Sequence, residues 1–226
     1  MFLPLYDSNK IAHIEFPVVN YALIAVTVLV FLVQVAGGQM ALDQAHIEYG
    51  MIPAVVTGVV EGPAPWLPDQ LTLFTYIFLH ADFMHLATNM LFLWVLGDNI
   101  EDALGHVRYL AFYLLAGAAA ALAHMGFNLG SYGPLIGASG AVAGVIGAYM
   151  MLYPNVRIFV LVRIVIPLPI TLPAWTVLGL WIGMQFFSLL VDPDAGVAWW
   201  AHIGGFAAGV VLVVLMRRRG IPLWRK

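Results

Sequence analysis

Long stretches without a charged side chain constrain the fold of this chain most. No Asp, Glu, Lys or Arg occurs in residues 16–42, 109–156 or 164–191. Over the 226 residues, 62% are hydrophobic and 9% are charged, whereas a soluble domain is about half apolar and about a quarter charged. A water-soluble core cannot absorb so many apolar side chains. The sequence therefore predicts an integral membrane protein whose surroundings are the lipid bilayer.

The apolar runs are bounded by charge, glycine or proline, and they predict six spanning helices. The spans are expected near residues 17–36, 83–98, 107–126, 139–153, 171–190 and 199–216. Six spans of about 20 residues with short links use the whole length. We therefore expect one membrane domain over residues 1–226, an all-α bundle of six transmembrane helices.

The distribution of basic residues predicts the orientation of these spans. An even number of spans places both termini on one side. All nine Lys and Arg residues then fall on that side: before span one, between spans two and three, between four and five, and after six. The charged residues of the opposite face are all acidic: Asp43, Glu48, Glu61, Asp69, Asp82, Asp192 and Asp194. The positive-inside bias thus predicts that both termini are cytoplasmic.

The N-terminal stretch lacks the basic head and cleavage site of a signal peptide, so the first apolar run is predicted to be a retained anchor. The absence of a transit segment favours a prokaryotic plasma membrane over a mitochondrial one. The long link over residues 37–72 carries apolar residues near helical spacing, which fits either an interfacial amphipathic element or a packed external loop.

Few strongly polar groups lie at membrane depth, and each is costly enough to suggest a function. His85 and Asn89 are four residues apart, on one face of span two. Ser139 begins span four, and His202 lies near the start of span six. Spans two, four and six all run inward from the outer face in the predicted orientation. The four side chains are therefore expected at a similar shallow depth, where they can meet.

Ser139 and His202 have the chemistry of a serine hydrolase, in which a neutral imidazole accepts the hydroxyl proton during attack on a carbonyl. Spans four and six contain no Asp or Glu, so a Ser-His dyad is predicted instead of a triad. His85, Asn89 and the Ser139 N–H are predicted to stabilise the oxyanion. Span four is short, so residues 130–137 are expected to dip into the membrane beside a water-filled pocket.

Other interpretations explain some of these residues. Small-residue stripes at Gly140/Gly144/Gly147 and Gly205/Gly209 indicate close helix packing, which would also bring spans four and six together. A metal site is disfavoured because no His-Glu-x-x-His is present. The remaining histidines, and Glu101 with Asp102, are predicted to be structural: His13, His46, His106 and His124.

Together these motifs resemble the rhomboid family of intramembrane serine proteases. They are His80 with His85-x-x-x-Asn89, the box from Gly137 to Gly140, and Ala201-His202-Ile203-Gly204-Gly205. The resemblance implies a Ser139–His202 dyad, an oxyanion site at His85 and Asn89, supporting roles for His80 and Gly137, and no cofactor.

The same resemblance implies substrates that are single-span membrane proteins cut near the outer face. It also implies a lateral gate at residues 175–187 and a cap at 191–198. Nucleic-acid partners are not expected, and the sequence leaves the oligomeric state open. The chain departs from the family in carrying Ala143 where some members have a Tyr that stacks on the histidine, and in lacking a Trp-Arg pair before span two. Two alternatives remain: an inactive binding module, and a transporter lined by the histidines.

Overall fold

A computed structural model describes residues 2–163, 167–193 and 196–225. Most of the chain is helical. The helices are α1 Val18–Ala36, α2 Gly38–Tyr49, α3 Pro53–Val56, α4 Thr72–Thr75, α5 Phe83–Leu104, α6 His106–Phe127, α7 Ser139–Leu152, α8 Ala174–Val191 and α9 Trp199–Met216. Asp194 and part of the predicted cap at 191–198 lie outside the described residues.

Four of these helices, α1, α6, α8 and α9, are long and apolar enough to cross a membrane. Helix α7 is equally apolar but has only 14 residues, about 21 Å at 1.5 Å per residue. Helix α5 has 22 residues, and it carries three acids near its C-terminus, Asp98, Glu101 and Asp102. The protein is therefore an integral membrane protein built mainly from helices.

The prediction of an all-α chain is wrong for two segments, which form a three-stranded antiparallel sheet. Its strands are β1 Phe2–Asp7, β2 Arg157–Arg163 and β3 Pro167–Pro173, in the order β1-β2-β3. The central strand β2 is rich in β-branched and aromatic residues, which favour strands. Its Ile158 and Val160 are buried on one face. Strand β3 tolerates three prolines because it lies at an edge, and α8 begins only after Pro173, later than the predicted span.

Glycines bring α7 and α9 into backbone contact. A Cβ on Gly205 would overlap the carbonyl oxygen of Gly140, and a Cβ on Gly209 would overlap that of Gly144. On α7, Gly144 also packs against Ala116 of α6. The two stripes of small residues thus serve the close packing that the sequence predicts, and this packing sets the distance between the first turns of α7 and α9.

The link between α1 and α5 packs against the segment that leads into α7. Met51 and Leu135 exchange two backbone hydrogen bonds of 3.0 and 2.8 Å, and the Ala54 N–H donates to the Ser131 carbonyl at 3.1 Å. Residues 51–55 are buried, whereas Ile47 and Val59 are exposed. Residues 51–55 are therefore packed against the protein, and the last three of them belong to helix α3.

Both ends of the described chain gather at the end of the bundle opposite Ser139. Strand β1 pairs with β2, which follows α7. Near the C-terminus, the N–H groups of Trp224 and Arg225 donate to the last carbonyls of α7, those of Met151 and Leu152. Glu101 and Asp102 lie at this end as well. As predicted, they make structural contacts with neighbouring segments, at the start of α1 and at His13.

Candidate active site

Ser139 and His202 meet where α7 and α9 begin. Ser139 is the first residue of α7, and His202 lies in the first turn of α9. The Ser139 Oγ and the His202 Nε2 are 2.8 Å apart, a hydrogen-bond distance. The contact is possible because Gly140, the residue after Ser139, lets the backbone of α7 touch that of α9 at Gly205, one turn after His202. A serine hydroxyl therefore faces the nitrogen of an imidazole.

The second nitrogen of the same imidazole contacts a side chain that the sequence analysis missed. The His202 Nδ1 lies 2.7 Å from the Oε1 of Gln185, which is on α8 and only 7% exposed. The Gln185 Nε2 donates to the Trp181 carbonyl at 3.0 Å. A signal was available, because Gln185 is a lone amide in an apolar span and such a group is costly at membrane depth.

Aromatic side chains also surround the imidazole. The Trp181 ring of α8 lies 5.7 Å from the His202 ring between centroids, and the Trp199 ring lies 6.2 Å away, edge-on. The position one turn after Ser139 is occupied by Ala143, which is fully buried. The aromatic partner of His202 is thus supplied by α8 and α9, and not by α7.

His85 and Asn89 lie on one face of α5, as their spacing predicts. Asp82 caps the helix by accepting the His85 N–H at 2.8 Å. The Ala81 N–H donates to the His85 Nδ1 at 3.4 Å, which leaves the ring hydrogen on Nε2. The Asn89 Nδ2 donates to the His85 carbonyl at 2.9 Å. An amide nitrogen has two hydrogens, so one remains for another acceptor.

Gly137 and His80 lie behind these side chains. Gly137 has φ +109, and a Cβ there would lie 2.6 Å from the Nε2 of His85, so only glycine fits. His80 is fully buried, its Nε2 accepts the Ala138 N–H at 3.4 Å, and its ring packs edge-on against His85 with centroids 4.9 Å apart. Both residues therefore support the segment that enters α7.

An open cavity of about 890 Å³ connects these groups. Ser139, His202, His85, Asn89 and Gln185 line it, whereas His80 and Gly137 do not. His124, which the sequence analysis placed outside the cluster, also lines the cavity. Among the residues that the structure describes, no three His, Asp or Glu side chains are grouped as metal ligands would be.

The fold and the cavity define a helical membrane protein in which a serine hydroxyl lies within hydrogen-bond distance of a histidine ring nitrogen. The chain belongs to the rhomboid family, because residues 68–219 match the model of the Rhomboid domain. The family prediction from sequence is therefore confirmed.

Similar proteins come from several kingdoms. The chain is 28% identical over 157 residues to Rhomboid protein 1, mitochondrial, of Saccharomyces cerevisiae, which covers 65% of this chain and 42% of that protein. It is 33% identical over 135 residues to Rhomboid protease GluP of Bacillus subtilis, covering 59% and 24%. It is 33% identical over 151 residues to RHOMBOID-like protein 5 of Arabidopsis thaliana, covering 66% and 45%. In each case the match spans less than half of the relative.

Proposed function

We propose that this protein is an intramembrane serine endopeptidase that uses Ser139 as nucleophile and His202 as general base. The observation that carries the proposal is the 2.8 Å contact between the Ser139 Oγ and the His202 Nε2, inside a cavity of a membrane protein. The resemblance to a relative named as a rhomboid protease, GluP, supports it.

In the proposed reaction, the Ser139 Oγ attacks the carbonyl carbon of a peptide bond while its proton passes to the His202 Nε2. Collapse of the tetrahedral intermediate breaks the C–N bond. The departing amine takes the proton from His202 and leaves an ester on Ser139. A water molecule in the cavity then gives a proton to His202 and attacks the ester, which releases the second product and restores the Ser139 hydroxyl.

Three donors are available for the negative oxygen of that intermediate. The His85 Nε2–H and the second hydrogen of the Asn89 amide belong to side chains of the cavity wall. The Ser139 N–H is the first N–H group of α7, so no carbonyl of the same helix can accept its hydrogen. Loss of one such donor in other enzymes costs about 3 kcal/mol of transition-state stabilisation. Gly137 keeps His85 at this position because any side chain there would displace the ring.

We propose that the substrates are single-span membrane proteins and that the chain crosses the bilayer six times with both termini cytoplasmic. The site would then open on the non-cytoplasmic side of a prokaryotic plasma membrane. The position of both chain ends opposite Ser139 is consistent with this orientation, as is the distribution of all nine basic residues. Reporter fusions at Lys226 and in the loop at Glu61 test it, with the C-terminus expected on the cytoplasmic side.

Reconstitution tests the proposed activity. Purified protein in liposomes with a labelled single-span substrate should yield two fragments, and Ser139→Ala should lower the rate by roughly 10³-fold or more because the nucleophile is lost. Ser188→Ala is the matched control on α8, away from the contact with His202, and should cleave as wild type does. Cleavage that persists in Ser139→Ala would refute the assignment.

A further inference from the structure

We propose that Gln185 is a positioning residue that fixes the proton of His202 on Nδ1 and so keeps Nε2 free to accept the hydroxyl proton of Ser139. The inference rests on the proposed function of Ser139 and His202. In a catalytic triad a carboxylate holds the histidine in the correct tautomer. Helices α7 and α9 contain no Asp or Glu for this role.

The Gln185 amide faces an acceptor that cannot donate, and this fixes its orientation. The Trp181 carbonyl lies 3.0 Å from the amide of Gln185, and a carbonyl oxygen can only accept a hydrogen. The end of the Gln185 amide that faces Trp181 is therefore the NH₂ group. The other end, which lies 2.7 Å from His202, is therefore the oxygen Oε1.

The orientation of that amide decides the tautomer of His202. Because the Gln185 Oε1 is an acceptor, the His202 Nδ1 must carry the hydrogen between them. In a neutral imidazole the other nitrogen then has a free lone pair. That nitrogen is Nε2, 2.8 Å from the Ser139 Oγ. The opposite tautomer would point an N–H at the hydroxyl, and the imidazole could not act as a base.

The contact also satisfies the buried amide of Gln185. Within α8, all of which the structure describes, the buried residues are Ala174, Val177, Leu178 and Gln185. The first three lie in the half near Pro173, so Gln185 is the one buried side chain of the other half. A buried amide is costly in a membrane protein unless its polar atoms have partners. Here its nitrogen bonds its own helix and its oxygen bonds α9.

Trp181 lies one turn before Gln185 and on the same face of α8. Its ring packs on His202 at 5.7 Å and on Phe92 of α5 at 6.3 Å. The imidazole is thus held by a ring contact and a hydrogen bond from one helix. Together they supply the support that the alanine at position 143 does not provide.

Gln185→Met tests the proposal because methionine has a similar size but no comparable acceptor. In reconstituted full-length protein, kcat for cleavage should fall roughly 10-fold to 100-fold with little change in KM, because His202 loses the acceptor for its Nδ1–H. Gln185→Glu restores an acceptor oxygen and should stay within about fivefold of wild type. The matched control is Gln34→Met, since Gln34 is 6% exposed but makes no hydrogen bond to any residue that the structure describes. It should leave kcat unchanged.

A second measurement does not depend on activity. The ¹⁵N chemical shifts of the His202 ring, assigned by their loss in His202→Asn, should show the Nδ1–H tautomer in wild type and in Gln34→Met. Gln185→Met should shift the population toward Nε2–H. An Nε2–H tautomer in wild type would overturn the proposal, as would an equal loss of kcat in Gln185→Met and Gln185→Glu. If wild type cleaves nothing, the proposed function fails, and the ring shifts still decide the role of Gln185.

Discussion

The two ends of the bundle both contain polar side chains that are buried or half-buried, but these have different surroundings. At one end, Ser139, His202 and His85 face a cavity. The backbone N–H of Ser139 is also there, and as the first N–H of α7 it has no acceptor within its own helix. At the opposite end, the Glu101 carboxylate accepts the N–H groups of Val19 and Asn20 at 3.0 and 2.7 Å.

Further polar groups at this opposite end, which we call the closed end, also have protein partners. Asp102 accepts the backbone N–H groups of His13 and Ile14, and Asp7 accepts the Tyr149 hydroxyl. These polar groups satisfy one another and the first turn of α1, where negative charge is favourable. At this end the polar groups contact only other protein groups among the described residues, whereas at the other end Ser139, His202 and His85 also border an open cavity.

Glu101→Gln should destabilise the protein more than any other change considered at the closed end. An amide can accept only one of the two N–H groups at the start of α1, and it turns an NH₂ toward the other. We expect a loss of about 3 kcal/mol in the free energy of unfolding, because charge-assisted bonds to a fully buried carboxylate are lost. Thermal unfolding in detergent measures it. The cleavage rate per folded molecule should not change.

The exposed Glu61 provides the control, since Glu61→Gln should leave the unfolding temperature as it is. If Glu101→Gln kept its stability but lost its cleavage rate, the two ends would not differ as described.

Gly209→Ala should lower both the stability of the protein and its cleavage rate. Its Cβ would overlap the backbone of Gly144 and push α9 away from α7. We expect about 2 kcal/mol of lost stability, typical of an overpacked core, together with a lower cleavage rate because Ser139 and His202 separate. Gly183→Ala on α8 is the control, since no described atom lies within 4 Å of the added Cβ. Equal behaviour of the two variants would contradict the packing described.

The smallest expected effect is a pH dependence at the closed end. Burial is the main reason why the pKa of Asp7 rises from 3.8 to about 6; the hydrogen bond from Tyr149 opposes this rise, and the nearby Asp98 adds a smaller upward contribution. Between about pH 4 and pH 6 the folded protein then binds more protons than the unfolded chain, so its stability falls as pH rises. We expect about 1 kcal/mol, since Asp7 is only partly buried and water screens it.

Unfolding temperatures across this pH range measure the effect. They should decrease from pH 4 to pH 6 in wild type and depend less on pH in Asp7→Asn. Asp43→Asn, at an exposed carboxylate, should follow wild type. A wild-type unfolding temperature that rises between pH 4 and pH 6 would contradict the pKa direction.

Much of the candidate site followed from the cost of polar groups in an apolar chain. That cost drew attention to Ser139, His202, His85 and Asn89, and helical spacing placed the last two on one face. Glycine spacing indicated the approach of α7 to α9. Family membership followed from the same motifs, and the match over residues 68–219 confirms it.

Other features depended on contacts between distant segments, which spacing does not reveal. The sheet forms because β1 finds β2 some 150 residues later in the chain, and its short strands resembled ends of apolar runs. Gln185 lies within a predicted span that length and hydropathy define, and its polarity is the one sequence signal of its role. His124 lies on α6, a helix that carries none of the other site residues, and only the packing of α6 brings its side chain to the cavity.

The central claim is that His202 activates Ser139, and the site of covalent labelling tests it most directly. Mass spectrometry after reaction with a fluorophosphonate should find the adduct on Ser139 in wild type. In His202→Asn, labelling should slow by roughly 10³-fold, because no base takes the hydroxyl proton. An adduct on another residue, or equally fast labelling of Ser139 in His202→Asn, would contradict the account.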